Sequence, residues 1–277
     1  MWFSHRTARW ISKIGRYILL FVTAFLILIP LIVILSTSFK PDDQIYEFPM
    51  HIIPRTPTWE NFNKLMDRFP LYIYNSFKLT FIIVVVQLCT SSTAAYAFSK
   101  LRWKGRDALF LLYVLSMMVP IHAIIIPQFF IVRSMGLYDS HWALVLTGSF
   151  TAFGTFLIKQ YFMTIPDSYV EAARIDGARE FVIFYRIMMP LAKPVLATQI
   201  IFSFRYFWND FFAPLIYLTS QHLKTLPLGM ADFATETYTY VGPQMAASFI
   251  SIVPVMIIFL LAQRYFVEGV AATGVKG

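Results

Sequence analysis

Apolar positions along this chain gather into six long runs, and the charged residues are concentrated in the shorter stretches between them. The runs are Tyr17 to Phe39, Ser76 to Phe98, Ala108 to Val132, His141 to Phe162, Pro194 to Leu218 and Pro243 to Phe266. A hydrocarbon core about 30 Å thick is crossed by roughly 20 helical residues, and each run is long enough or nearly so. The pattern predicts an all-α integral membrane protein with six transmembrane helices over residues 17–266. A polar arm of residues 1–16 precedes them, a tail of residues 267–277 follows, and a charged break between the fourth and fifth spans covers residues 163–193.

Composition agrees with the pattern. Hydrophobic residues are 58% of the chain and aromatic residues 18%, against the roughly 45–50% apolar content of soluble domains. With 277 residues the chain accommodates one membrane domain and no long separate soluble one. Cys89 is the single cysteine, which excludes an internal disulfide and a thiolate metal cluster. A net charge of +8 raises the possibility of nucleic acid, but the basic residues sit in short loops beside apolar runs and report topology instead. The arm carries Arg6, Arg9, Lys13 and Arg16; the second loop carries Lys100, Arg102, Lys104 and Arg106; the fourth carries Lys159, Arg174, Arg179, Arg186 and Lys193. Loops on the other side are poorer in lysine and arginine, so both termini and the fourth loop are expected in the cytoplasm. A cleaved secretory signal fits less well, because the first apolar run is too long and no small-residue cleavage site follows it.

The fourth loop contains "EAARIDGARE", residues Glu171 to Glu180. Pro166 blocks continuation of the fourth span, Ser168 is a suitable N-cap, and Glu171 stands three positions on to complete a capping box. A short helix is expected there, with Gly177 allowing a bend or a close approach. Phe181, Phe184, Tyr185 and Met188 then recur at spacings of three and four before Pro190, which predicts a second short helix. From the pattern alone, an amphipathic hairpin lying on the inner leaflet is an open alternative.

The stretch "EAARIDGAREFVIFYRIMMP" resembles the EAA loop of the membrane subunits of bacterial ABC importers: E-A-A, three residues, G, nine residues, then I-x-L-P. Glu171, Ala172, Ala173, Gly177, Ile187 and Pro190 stand at those spacings, with Met189 in place of leucine. "WNDFFAPLIYL", "KTLPLGM" and "QRYFVEGVAATGVKG" resemble carbohydrate-importer permeases of the maltose-transporter type, and the tail is most similar to the maltose-permease-G-like subunit. The resemblance implies a multi-pass protein of the bacterial inner membrane whose cytoplasmic coupling helix docks on an ATP-binding subunit. Ala172, Ala173 and Gly177 would permit a close fit, and Glu171 and Asp176 would supply polar contacts. The implied partners are a second homologous membrane subunit, two cytoplasmic ATP-binding subunits that hold ATP and Mg, and an external solute-binding protein delivering a sugar. The chain has no glycine-rich phosphate loop followed by Lys-Ser or Lys-Thr, so it is not expected to hydrolyse ATP or to carry a cofactor itself.

For the transport path, Arg205, Trp208, Asn209 and Phe212 fall at intervals of three, four and seven, on one face of a helix. An arginine near the middle of a span costs about 2.5–3.5 kcal/mol on insertion scales and is expected to face a polar cavity or the bundle interior rather than lipid. Aromatic surface beside amide and guanidinium donors suits a sugar; the same face would also suit packing against a partner subunit. Lys78 can snorkel. His122 lies between Pro120 and Pro127 with no second ligand at metal spacing. The cluster Ser91 to Ala95 permits close helix packing. Tyr238 and Tyr240 are candidates for contact with a delivery protein or for anchoring at the interface. An ion-coupled secondary transporter would be expected to show inverted repeats or paired broken helices, and an intramembrane enzyme needs a nucleophile and base or a metal cluster. Neither is apparent, and neither explains the charged loop. Import of an acidic or phosphorylated solute stays open through Arg205.

Overall fold

The computed structural model describes residues 2–233 and 240–274, and its regular structure there is helical. Tyr238 and residues 275–277 of the tail lie outside the described residues. Four helices are long and apolar enough to cross a membrane, or six if each of two sharply bent pairs counts as one span. The chain divides into two units, residues 1–67 with 232–252 and residues 68–231 with 253–277.

In the first unit, α1 (Trp2–Ser38) runs without interruption from the arm through the first span, so the arm is helical. Its last carbonyls lack intrahelical partners, and the buried Asn61 supplies one: Nδ2 donates to Ser38 O at 3.1 Å and to Lys40 O at 2.7 Å. Phe39, Trp59 and Phe62 close the loop over this point, with ring centroids 5.0–5.3 Å apart. Tyr240 is half exposed, its N–H bonded to Phe233 O.

The second unit is built on α2 (Phe69–Lys100), 32 residues without an internal break. Next come α3 (Arg106–Leu115) and α4 (Ile121–Ser134), bent by 101°. The third apolar run is therefore not one straight helix. Pro120 follows Val119, whose ψ of 114° is the extended conformation a following proline imposes. The fourth span holds as α5 (His141–Gly148) and α6 (Ala152–Thr164), joined through Ser149 to Thr151. Then follow α7 (Ser168–Ile175), α8 (Glu180–Ile183), a π-turn over Phe184–Met188, and α9 (Lys193–Trp208) after a 79° bend. The fifth run, expected as one helix to Leu218, stops at Trp208 and resumes as α10 (Phe212–Tyr217). The break has a local cause, since Asp210 Oδ1 accepts the Ala213 N–H at 3.2 Å and starts a new helix inside the apolar run. Finally α11 (Val241–Gly274) continues past the predicted end of the sixth span at Phe266.

Two apolar cores form on α2. One, toward Lys100, gathers Ala95, Ile158, Phe162, Ile183 and Met188; the other, toward Phe69, gathers Leu79, Ile83, Ala143, Leu144 and Tyr217. A polar layer separates them. Gln87 Nε2 donates to Gly148 O (2.6 Å), Ser203 Oγ donates to Gln87 Oε1 (2.7 Å) and accepts from Gln199 Nε2 (2.9 Å), and Thr90 Oγ1 reaches Ser149 O (2.9 Å). Of the cluster Ser91 to Ala95, Ser91, Ser92 and Ala95 are buried on α2, Ala94 is half-buried and Thr93 is exposed.

Candidate functional site

The charged loop forms the helix predicted over Glu171, but its start differs from the expected capping box. The N-cap position is Asp167 rather than Ser168, and no side chain caps the helix. The Asp167 carboxylate is engaged elsewhere, accepting from Lys100 Nζ at 2.5 Å, while the same ammonium donates to Ile165 O at 2.7 Å. This hydrogen bond and the charge behind it hold the Asp167 carboxyl below its usual range. The Lys100 side chain is only 3% exposed, so the last residue of α2 is sealed under the start of α7.

At its other end α7 closes on glycine. Gly177 has φ +79°, its N–H bonds to Arg174 O, and the Ala178 N–H bonds to Ala173 O, the paired bonds of a Schellman stop. A Cβ at Gly177 would meet nothing of this chain within 4 Å, so within the chain the glycine serves backbone conformation. Beyond it Glu180 receives two donors, Arg174 Nε at 2.7 Å on one oxygen and Tyr96 Oη at 2.5 Å on the other. Val170 and Ala173 face inward, whereas Glu171, Ala172, Asp176 and Gly177 are exposed; Ile187 is half-buried against the core and Pro190 is exposed.

The second predicted helix is altered. It is four residues of α-helix followed by the π-turn, and its buried side chains are Ile183, Phe184 and Met188. Phe181 and Tyr185, expected on the same face as Phe184 and Met188, are instead 74% and 65% exposed. The wider π-turn rotates the register away from the three-to-four spacing assumed from sequence.

The second candidate site is a cavity of about 550 Å³ within the second unit, between α2, α4, α5, α9 and α10. That volume lies in the usual range for small-molecule sites. Arg205 and Phe212 line it, as do His122 and Asp210; Trp208 and Asn209 do not. Trp208 is buried and stacked on Phe204 at 5.6 Å, and the Asn209 amide folds back to Arg205 O at 2.8 Å. Trp208 is still helical but buried, and beyond it α9 ends, so Asn209 leaves the projected face and Phe212 reaches the cavity from α10. His122 packs against Phe212 with the rings tilted, 4.8 Å between centroids. Among the described residues, no carboxylate lies within ion-pair distance of Arg205, and no group of three metal-ligating side chains exists. Gln199 Oε1, Tyr217 Oη and Thr225 Oγ1 are buried on the cavity wall without a partner among the described residues. These three atoms have essentially no accessible surface, so they are sealed behind the wall; the polar side chains that face the cavity are the exposed His122 and Arg205 and the half-buried Gln128 and Asp210.

Sequence reasoning missed Tyr96, Lys100, Asp167 and Glu180, which fasten the loop, and Gln87, Gln199 and Ser203, which form the polar layer. Two glutamines inside apolar runs were the available signal, since polar side chains at membrane depth are seldom idle.

Residues 87–271 match the family described as the binding-protein-dependent transport system inner membrane component. The chain is 33% identical over 273 residues to the arabinooligosaccharides transport system permease protein AraQ of Halalkalibacterium halodurans, covering 97% of this chain and 96% of that one. It is 33% identical over 263 residues to the sn-glycerol-3-phosphate transport system permease protein UgpE of Yersinia pestis, covering 91% and 94%. Among solved structures it is similar to a chain of a bacterial ABC transporter involved in the import of the acidic polysaccharide alginate. The TM-score is 0.83 at 27% identity, covering 92% of this chain and 96% of that one.

Proposed function

Because this chain belongs to the family of inner-membrane components of binding-protein-dependent transport systems, we propose that it forms half of the translocation pathway of an ATP-driven importer of a sugar or oligosaccharide. The observation that carries the sugar reading is the cavity. It combines aromatic walls, suited to the apolar face of a sugar ring, with the polar side chains of His122, Gln128, Arg205 and Asp210, suited to hydroxyls. Relatives whose names refer to arabinooligosaccharides and alginate support it. The other half of the pathway is a second, similar membrane subunit, and an external solute-binding protein delivers the solute. Two cytoplasmic ATP-binding subunits hold ATP and Mg, while this chain performs no catalysis. Both termini and the loop of residues 163–193 face the cytoplasm. There Glu171, Ala172, Ala173, Asp176, Gly177, Ile187 and Pro190 form the element that docks on an ATP-binding subunit, with α7 as the coupling helix. The exposure of Glu171, Ala172 and Asp176 supports that role.

A specific observation favours a second reading of the solute. Arg205 brings a guanidinium to the cavity wall with no carboxylate partner among the described residues, which suits a carboxylate- or phosphate-bearing sugar. Affinity purification in mild detergent, followed by mass spectrometry, tests the assembly. A homologous membrane subunit and an ATPase are expected with the wild-type chain, and the ATPase alone is lost from the Glu171→Lys, Gly177→Trp double variant. Absence of any ATPase from the wild-type sample refutes the importer assembly. Uptake of labelled arabino-oligosaccharides and alginate oligosaccharides by the host, compared between wild type and Arg205→Gln, separates the neutral and anionic readings.

A further inference from the structure

Two of the routes by which displacement of the coupling helix can reach the cavity differ in stiffness. Along the chain, α7 leads to α9 through a left-handed glycine at Gly177, a π-turn over Phe184–Met188 and the 79° bend before Lys193. Each interrupts the regular hydrogen-bond ladder, and such places are where helices yield. Across space, α7 meets α2, which has no break from Phe69 to Lys100.

The cross-space contact is made at both ends of α7. Lys100 Nζ holds Ile165 O and Asp167 at the beginning. Glu180 bridges Arg174, near the end, to Tyr96. Tyr96 and Lys100 are four residues apart, hence on one face of α2. Thirteen residues before Lys100 on the same helix, about 20 Å at 1.5 Å per residue, stands Gln87 on the cavity wall, bonded to Gly148 O and to Ser203.

We propose that Lys100, Tyr96 and Glu180 are positioning residues that fasten the coupling helix to α2, so that its movement reaches the cavity through α2 rather than through α9. This rests on the reading of α7 as the ATPase-docking element. The two ties act together: Lys100 fixes the start of α7 against translation, and the Tyr96–Glu180–Arg174 bridge fixes its end against rotation about that point. Gln87 then carries the displacement into the polar layer, where it shifts against Ser203 and the Gly148 carbonyl.

Cys89 provides the readout, because it is the chain's one cysteine, is exposed, and lies two residues from Gln87 on α2. The whole transporter is purified with its ATPase, labelled with monobromobimane at Cys89, checked by mass spectrometry of the Cys89 peptide, and trapped with Mg-ATP and vanadate. Wild type is expected to show a shift in bimane emission on trapping. Lys100→Met and Glu180→Gln together are expected to lose the shift while the ATPase still co-purifies and hydrolyses ATP. Arg174→Glu alone should also lose it with the ATPase retained and hydrolysing ATP, which loss of stability alone does not predict, and Arg174→Glu with Glu180→Arg should regain it. A shift that persists in the Lys100→Met, Glu180→Gln variant overturns the proposal, as does a wild-type complex that hydrolyses ATP without any shift. Failure of the wild-type chain to retain an ATPase is a different result, and it refutes the docking reading on which the proposal stands.

Discussion

Replacing Ser203 with alanine tests the polar layer directly. The Oγ atom accepts from Gln199 Nε2 and donates to Gln87 Oε1, and all three side chains are at most 5% exposed. Counted as in a water-soluble core, two stranded partners at about 1–3 kcal/mol each give about 2–6 kcal/mol. The membrane reference lowers this figure, because helices separated in lipid also find partners, and measured interhelical hydrogen bonds average about 0.6 kcal/mol with a maximum near 1.7. Two bonds at that scale give about 1.2–3.4 kcal/mol, and Gln87 keeps its bond to Gly148, so the expected loss is about 1–2 kcal/mol. For a chain of this size each kcal/mol moves the midpoint by roughly 2–4 °C, so melting of the purified transporter followed by tryptophan fluorescence should fall by about 2–8 °C. Combining Ser203→Ala with Gln87→Leu closes a double-mutant cycle, in which the shared bond should appear as a coupling of about 0.5–1.5 kcal/mol. Strict additivity of the two substitutions would refute the bond between α2 and α9 as a stabilising contact.

Gly177→Ala places a side chain in open space at φ +79°, so its effect should be backbone strain alone, about 1–2 kcal/mol, and Gly177→Asn should cost less; melting of the two variants distinguishes strain from packing. Gly229→Ala is the contrasting case, since its Cβ would lie 2.2 Å from Cδ2 of the buried Tyr72 ring; an overpacking cost of about 1–3 kcal/mol is expected, and Tyr72→Leu should relieve much of it. Asp139, in the loop before α5, accepts the Ser220 hydroxyl and the backbone N–H groups of Ser220 and Thr219, which lower its pKa to about 2. Its stabilising contribution should be complete above the ordinary carboxylate range and disappear as pH falls toward about 2, so the melting difference between wild type and Asp139→Asn should be largest near neutrality and shrink in acid.

Hydropathy located the spans because lipid imposes a length and an apolar composition on any helix that crosses it. The same averaging concealed the breaks. Pro120 divides one run and Asp210 begins a new helix in another, yet both sit among residues apolar enough to sustain a continuous reading. The loop motif was legible as a local pattern, and the positive φ at Gly177 agrees with what that pattern requires. What fastens the loop was not legible. Lys100 lies in a basic cluster that reads as a topology signal, and only the fold brings Ile165 and Asp167 over it. The cavity was half visible: Arg205 lines it from α9 and Phe212 from α10, but Trp208 is buried against Phe204 and Asn209, past the end of α9, folds back on Arg205.

The arrangement on α2 follows from its solvent. Lipid tails are as apolar as leucine, so helices in a bilayer gain little from burying apolar surface against one another and depend on close packing and hydrogen bonds. α2 uses both. Ser91, Ser92 and Ala95 are small residues of its buried surface, Thr90 reaches the Ser149 carbonyl, and Gln87 ties α9 and the end of α5 to the same helix. These contacts are short-ranged and directional, so a small displacement of α2 must break or carry each of them, whereas a greasy interface would let neighbouring helices slide. With Lys100 and Tyr96 at its other end, α2 therefore joins the loop to the cavity wall by directional contacts at both places.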